Sequence, residues 1–500
     1  MGEAREGGEH SLRRVLGPTN LITLGIGAII GTGIFVITGP AAAHHAGPSI
    51  ILSFIFAAIG CVFAGLCYAE FASMIPVAGS AYTYGYATLG EIFAWIIGWD
   101  LVLEYAFGAA TVASGWSGYF ISLLGDFGIK LPAALAGTRW DEFIYYHDHW
   151  EPVGLVIPKL TEAHIDPASL PHALGAFNLL GFLAIVIATL ILVVGIKESA
   201  NFNSLIVVVK VCVLIIFIVI GARYLLQHPD LTAANWHPFI PPNTGQFGDF
   251  GWSGILEAAS LIFFAYIGFD AVSTAAQEAK SPERDMPIGI LGSLVICTIL
   301  YIAVAAVLTG LVSYKLLGVS DPLALGIDRT GVRWGSLLVK IGALMGLSST
   351  IVVMLMGQAR VFFSMSKDGL LPGVFSVIHS RFRTPWISSI TVGLVVAALA
   401  ASLPISLLGE MVNIGTLLAF VIVCAGVWVF RHRNPNLPRP FKTPWVPAVP
   451  ILGILMSLSM MLSLQTDTKV RLVIWLAVGL IIYFFYGKKH SRVQQGRMAP

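Results

Sequence analysis

The sequence predicts an all-α integral membrane protein with twelve transmembrane helices. Three observations carry this prediction: the composition, the number of apolar segments and the positions of the basic residues. Of the 500 residues, 56% are hydrophobic and 11% are charged, whereas soluble domains have about 25% charged residues. No long polar segment divides the chain, so we expect one membrane domain. A net charge of +2 without a basic patch argues against a nucleic-acid partner.

The apolar segments predict where the helices cross the bilayer, because a bilayer core of about 30 Å needs about 20 apolar residues per helix. Suitable segments lie near residues 20–39, 48–74, 92–124, 174–194, 202–226, 253–279, 287–313, 331–365, 385–403, 406–430, 447–464 and 470–487. An even number of spans puts both termini on one side. The excess of Lys and Arg on that side predicts a cell-membrane protein with both termini in the cytosol.

These spans predict the organisation of the chain. Residues 1–18 form a cytosolic segment, 19–226 a first half of five helices, 253–431 a second half of five, 447–487 the last two helices, and 488–500 a cytosolic basic tail. The longest loop, 125–173, contains His147, Asp148 and His149. Without further ligands at regular spacing, this cluster is not expected to bind a metal.

Two glycine-containing stretches predict breaks in membrane helices. The first span contains Gly25, Gly27, Gly31 and Gly33, and glycine lowers the cost of leaving helical geometry. The sixth span contains FFAYIGFD at 263–270. These are the first helices of the two halves, where transporters with inverted repeats have broken helices. Close helix packing is the alternative interpretation of such glycines.

Charged residues inside apolar spans are functional candidates because they are costly in lipid. Those well inside a span are Asp100, Glu104, Lys210, Glu257 and Asp270. The Lys210 ammonium needs oxygen partners in such surroundings, and carbonyls freed at the first break are natural ones. For Asp270 a paired structural charge is the favoured interpretation. Glu104, at the depth of the first break, is a candidate for either role.

At these residues the chain resembles the cationic amino acid transporter family, within the amino acid, polyamine and organocation superfamily. The matching motifs are GIGAIIGTGIFVITG (25–39), AEFASMIPVAGSAYTY (69–84), WDLVLEY (99–105), WSGY (116–119), FFAYIGFDAVSTAAQEAKSPERDMPIGI (263–290) and GQARVFFSMSKDGLLP (357–372). They follow one another in the order expected of that family and cover most of the chain.

The resemblance implies a leucine-transporter-type fold, with a 5+5 inverted repeat plus two C-terminal helices, that works by alternating access. It implies that the substrate carboxylate meets N–H groups of the first break and that the amino group meets carbonyls of the sixth helix. The residues implied are Ile29, Ile30, Gly31, Thr32 and Gly33 in the first helix and Phe264, Ala265, Tyr266 and Ile267 in the sixth. Helix dipoles favour the same polarity.

The resemblance also implies how transport is driven. Lys210 matches a family lysine that occupies the position of sodium in sodium-dependent relatives, with Ser348 and Ser349 as its candidate partners. Proton-coupled, sodium-independent transport follows, and Glu104 is implied as an acid near the substrate or the proton route. The expected partners are the amino acid, the proton and the bilayer, with a small accessory subunit left open. No cofactor or metal is expected.

The side chain that is transported is less well determined. The eighth-helix stretch IGALMGLSST offers Met345 and Leu347 at the distal end of the pocket and no carboxylate. We therefore expect neutral, alanine-like amino acids, with cationic amino acids kept as a second class. An exchanger, a polyamine transporter and a non-transporting amino-acid sensor are the alternatives. An enzyme is not expected, because no P-loop, HExxH or GxSxG motif occurs.

Overall fold

The computed structural model describes residues 16–74, 80–146, 149–153, 156–157, 160, 163–194, 200–274, 276 and 279–496. The described chain is mostly helical. Its α-helices are α1 (Pro18–Ile29), α2 (Thr38–Ala41), α3 (Ile50–Met74), α4 (Ser80–Thr88), α5 (Glu91–Val102), α6 (Gly108–Asp126), α7 (Ala133–Ala136), α8 (Leu179–Val194), α9 (Ala200–Gln227), α10 (Pro229–Asn235), α11 (Gly251–Ile262), α12 (Ala271–Thr274), α13 (Pro282–Leu311), α14 (Pro322–Asp328), α15 (Arg333–Lys367), α16 (Trp386–Ser402), α17 (Ile405–Arg433), α18 (Ala448–Ser463), α19 (Thr466–Ile482) and α20 (Lys488–His490).

The long helices have the composition and surface of membrane spans. Within the described residues, seven helices are long and apolar enough to cross a bilayer, and five shorter apolar helices accompany them. On α8 the side chains of Leu183, Ile187, Leu190 and Val194 recur at helical spacing and are 41% to 61% exposed. Such an exposed apolar stripe suits contact with lipid rather than water. The multi-pass membrane prediction is thereby confirmed.

Both predicted breaks are present in the backbone. Helix α1 ends at Ile29, Ile30 is extended with ψ 102°, and a π-helical turn at Gly33–Ile37 resumes the helix. Helix α11 ends at Ile262, a 3₁₀ turn covers Phe263–Tyr266, and Gly268 has a φ of +114°. Only glycine adopts that φ without strain, so Gly268 fixes the position of the second break.

The all-α prediction is wrong in one detail. Strands β1 (Glu142–Tyr146), β2 (His149–Pro152) and β3 (His172–Leu174) form an antiparallel sheet in the order β2-β1-β3. The β1 sequence EFIYY is rich in aromatic and β-branched residues, which favour strands, and buries Phe143 and Ile144. His147 and Asp148 of the loop cluster lie outside the described residues.

The two ends of the described chain lie on one face, called the terminal face below. Leu16 pairs with Ala279, and the Arg492 N–H donates to the Asp368 carbonyl at 3.1 Å. These two places are connected, because α12 packs against α4, and a tyrosine hydroxyl of α4 donates to the Asp368 carboxylate. Residues Glu91–Asp126 run continuously through α5, a π turn and α6 for 36 residues. At 1.5 Å per residue that is about 54 Å, so the sheet that follows lies on the opposite face.

Candidate functional site

The first break exposes a group of backbone N–H donors. The Ile30 N–H is still bound to the Ile26 carbonyl at 2.9 Å, and the Phe35 N–H is bound to the Gly31 carbonyl. Between them, the N–H groups of residues 31–34 donate to no backbone carbonyl in the described chain. The sequence interpretation is therefore corrected: the donors begin at Gly31, because the N–H groups of Ile29 and Ile30 still belong to α1. Beside them the buried Thr32 hydroxyl has no hydrogen-bond partner among the residues that the structure describes.

Lys210 binds carbonyl groups on the other side of this break. Its side chain, on α9, is fully buried, and its ammonium donates to the carbonyls of Gly27 at 2.8 Å and Ile30 at 3.0 Å and to the Thr350 hydroxyl at 3.2 Å. An ammonium has three donors, so every donor is used. The buried charge therefore ties α9 to α1 and to α15.

The hydroxyl partner of Lys210 differs from the predicted one. Ser348 donates to the Leu344 carbonyl and accepts from the Trp116 ring nitrogen, while Ser349 donates to the Gly346 carbonyl. Successive residues on a helix point about 100° apart, so only one member of this run faces α9. That member is Thr350.

Two more carbonyls beside the first break accept hydrogen bonds from tyrosine hydroxyls. The Tyr301 hydroxyl on α13 donates to the Ile29 carbonyl at 2.9 Å, and the Tyr119 hydroxyl on α6 donates to the Phe35 carbonyl at 2.7 Å. Buried carbonyls without partners are costly. These bonds hold the unwound geometry in place, while the donors at residues 31–34 stay available.

The second break exposes acceptors. The Phe264 carbonyl accepts from the Ile267 N–H at 3.3 Å. In the described chain the carbonyls of Ala265, Tyr266 and Ile267 accept no hydrogen bond. Unpaired donors on the first helix and unpaired acceptors on the sixth form an arrangement that suits a carboxylate on one side and an ammonium on the other.

Two glycines set how closely the broken helices approach. A β-carbon on Gly33 would lie 2.2 Å from the Ala265 Cα, and one on Gly31 would lie 3.3 Å from the Thr350 hydroxyl. Gly33 therefore allows contact between the two breaks. Gly31 leaves room for the hydroxyl that binds Lys210.

The side chains of α15 that face inward are not all those predicted. Met345 is 40% exposed, in line with exposed Leu337 and Ile341, so it lies on the outer surface. Leu347 is fully buried in the hydrophobic core. Met354 is buried, and a β-carbon on Gly108 of α6 would lie 2.9 Å from its sulfur.

Met354 was missed by sequence reasoning, although a sequence signal existed. Gly342, Gly346, Thr350 and Met354 recur every four residues along α15. Gly342 and Gly346 pack on α9 at Val213 and Lys210. Residues four apart share a helix face, so these four residues form the inner face of α15. This face packs on Lys210 of α9 and, further along, on Gly108 of α6.

Glu104 lies in a second polar cluster. It belongs to the π-helical turn Leu103–Phe107, and such turns are frequent at functional sites. Its buried carboxyl lies beside that of Asp270, next to the second break, and close to Thr416 of α17. The Tyr105 hydroxyl donates to Asp270 at 3.1 Å. Two buried carboxylates at close range repel each other, and a proton on one of them removes this repulsion, so the pair can hold a proton.

Hydrogen bonds and ion pairs near the terminal face connect the helices around this cluster. The Tyr82 hydroxyl of α4 donates to Asp368 at 2.6 Å, and burial raises the pKa of the Asp368 carboxyl. Glu70, at the end of α3, is buried and bound by Arg431 at 2.6 Å and Arg439 at 3.3 Å. These contacts fasten α4 to the end of α15, and α3 to the end of α17.

Comparison with known proteins agrees with this geometry. Residues 16–486 match the family described as amino acid permease. The branched-chain amino acid permease BcaP of Bacillus subtilis is 44% identical over 98% of this chain and 97% of its own length. The methylthioribose transporter of Bacillus subtilis is 42% identical over 96% and 95%, and the vacuolar cationic amino acid transporter 4 of Arabidopsis thaliana is 30% identical over 99% and 95%. With its apolar helices and its two broken helices, the chain belongs to the amino acid permease family.

Proposed function

We propose that this permease carries neutral L-amino acids together with protons, without sodium, by alternating access. The proposal includes twelve spans, a 5+5 inverted repeat and two C-terminal helices. The observation that carries it is the Lys210 ammonium, bound to the Gly27 and Ile30 carbonyls and to Thr350. A fixed cation at this junction supplies the positive charge that a bound sodium ion would otherwise supply.

The substrate class follows from the two breaks and from the wall beside them. The donors at residues 31–34 favour a carboxylate, and the carbonyls of Ala265, Tyr266 and Ile267 favour an ammonium. We place the substrate side chain against Met354 on α15 and Gly108 on α6, which are in contact. Both are apolar, and the carboxyls of Glu104 and Asp270 lie against each other, so a neutral amino acid of small to medium size suits this pocket better than a cationic one.

Proton coupling follows from what the contacts of Lys210 require. They exist only while α1 and α15 both lie against α9. When the substrate is released, α1 moves away and the ammonium loses its acceptors. A buried ammonium without acceptors is strongly disfavoured, so its proton leaves with the substrate.

The direction of transport follows from the distribution of charge. Lys280, Arg284, Lys367, Lys488 and Lys489 all lie near the terminal face. Basic residues accumulate on the cytosolic side of membrane proteins. The terminal face is accordingly cytosolic in a cell membrane, and an inward proton gradient drives uptake.

Uptake into proteoliposomes tests this function. Labelled alanine, leucine and arginine are offered with an imposed inward proton gradient, and then with an inward sodium gradient at equal pH. We expect accumulation of the neutral amino acids with the proton gradient alone. Accumulation that requires sodium would overturn the coupling, and preferred uptake of arginine would overturn the substrate class.

Two further arms separate the alternatives. An exchanger moves label only when the liposomes are preloaded with amino acid, and a sensor binds label without accumulating it. Competition by methylthioribose tests the substrate named for one relative. That molecule lacks the carboxylate and ammonium that the two breaks suit, so we expect it to compete poorly with alanine.

A further inference from the structure

Three buried hydroxyls lie beyond the Glu104–Asp270 pair, and none makes a hydrogen bond of good geometry to another group in the described part of the chain. They belong to Tyr68 on α3, Ser273 on α12 and Tyr84 on α4. All three side chains are almost completely buried. Buried hydroxyls in folded proteins nearly always have a partner, so three together call for an explanation.

The three hydroxyls are continuous with the carboxyl pair. Tyr68 lies within electrostatic reach of both Asp270 and Glu104. The rings of Tyr68 and Tyr84 meet edge to face with centroids 6.5 Å apart. The Tyr84 and Ser273 hydroxyls lie close to each other, and Tyr84 also lies within reach of Asp270. Water commonly bridges buried polar groups that do not meet directly.

The hydroxyls also lie on one side of the pair. Ser273 follows Asp270 by three residues, on the way to Ala279, which pairs with Leu16 at the terminal face. Tyr84 belongs to α4, the helix fastened to that face through Tyr82 and Asp368. The run therefore leads from the carboxyl pair towards the terminal face, away from the opposite face that carries the β-sheet.

We propose that Tyr68, Ser273 and Tyr84 form a relay, with bridging water, through which the proton of the Glu104–Asp270 pair leaves to the terminal face. A hydroxyl donates and accepts hydrogen bonds, so each member takes up a proton on one side as it gives one up on the other. The carboxyl O–H bond breaks, a proton appears in the water at the terminal face, and the relay groups end unchanged. This inference rests on the proposed proton coupling and extends it: beside Lys210, the Glu104–Asp270 pair is a second proton site, and the relay is the route of its proton.

The burial of the three hydroxyls is consistent with proton release that occurs only when a helix moves. A relay that was always hydrated would leak protons without substrate. Here α4 is held by the bonds of Tyr82 to Asp368 and of Tyr86 to Glu91. Water reaches the relay only when α4 or α12 moves during opening towards the terminal face, which joins proton release to substrate release.

The test compares two transport modes in proteoliposomes. Net uptake of labelled alanine under an inward proton gradient requires proton release, whereas exchange of labelled for unlabelled alanine at equal pH does not. The variants are Tyr84→Phe, Ser273→Ala and Tyr68→Phe, each of which removes one hydroxyl. Ser457→Ala and Tyr145→Phe are the controls. Ser457 on α18 is another buried serine whose hydroxyl has no partner among the described residues, and Tyr145 lies in β1 on the opposite face.

We expect gradient-driven uptake to be about tenfold or more slower in the three relay variants, while the exchange rate stays near wild type. A tenfold loss is small beside the about 10²- to 10⁴-fold that a positioned proton-transfer group contributes. The controls should keep both modes. Wild-type rates in both modes for all three variants would overturn the relay. Equal losses in both modes with a lower melting temperature would also overturn it, since they indicate packing alone. If the wild-type protein ignores the proton gradient, the coupling itself fails, and the relay with it.

Discussion

Replacing Lys210 by Met tests the central element of the site. Methionine keeps most of the apolar stem that lies over Gly346 but removes all three hydrogen bonds of the ammonium. The carbonyls of Gly27 and Ile30 would remain buried without donors. Each such carbonyl costs about 1–3 kcal/mol, so the closed arrangement of α1, α9 and α15 should lose about 2–6 kcal/mol.

A loss of that size shifts a conformational equilibrium by about 30-fold or more, since about 1.4 kcal/mol is tenfold. We expect Lys210→Met to bind alanine weakly and to show no accumulation under a proton gradient. The assay is proteoliposome accumulation of labelled alanine, with binding to the purified protein measured in parallel. Lys340→Met is the matched control, because Lys340 lies on α15 and pairs with Asp126 at 2.6 Å, away from the breaks.

Two results would contradict this prediction. If Lys210→Met accumulates alanine to the wild-type level under the same gradient, the ammonium is not the coupling group. If Lys340→Met abolishes accumulation as completely as Lys210→Met, the loss reflects any missing lysine of α15 or α9 rather than the junction at the first break.

Three further substitutions test the surroundings of the site. Gly33→Ala should abolish alanine binding and lower the melting temperature, because the new β-carbon would lie 2.2 Å from the Ala265 backbone. Gly409→Ala is the control and should do neither, because its β-carbon would have no neighbouring atom closer than 3.8 Å. Met354→Ser should let larger amino acids compete against labelled alanine, because the side chain beside Gly108 becomes smaller, while Met345→Ser on the outer surface should leave competition unchanged. Glu70→Gln should destabilise the purified protein by about 3–5 kcal/mol, because Arg431 and Arg439 lose their buried partner, yet leave transport per folded molecule near wild type. Retained binding in Gly33→Ala, an unchanged substrate range in Met354→Ser, or a wild-type melting temperature in Glu70→Gln would contradict these expectations.

Glu104 illustrates what sequence could and could not predict. Its charge inside an apolar span marked it as a candidate, because the cost of such a residue is visible in the sequence. Its partner was not visible. Asp270 lies 166 residues further along the chain, and only the tertiary structure brings the two carboxyls together. In the proposed coupling, Asp270 shares a proton with Glu104, whereas the sequence favoured a paired structural charge at this position.

The β-sheet beyond α7 shows a different limit. Hydropathy identifies spans, because bilayer thickness requires a minimum length of apolar helix, but it carries little information about a loop. The aromatic and β-branched residues of β1 were the available signal. Strands β1 and β3 pair although residues 147–171 separate them in the sequence. No local sequence pattern predicts a pairing between strands so far apart.

The membrane class, the helix positions and the two breaks could be predicted from the sequence, because each depends on composition or glycine content within a single segment. Which side chain of a segment faces the site could not. Lys210 binds Thr350 rather than the adjacent Ser348 or Ser349, and Met354 rather than Met345 lies on the inner face of α15. Each step along a helix turns the side chain by about 100°, so a choice among neighbours depends on how that helix is rotated against the others. Only the packing of α1, α9, α11 and α15 fixes that rotation.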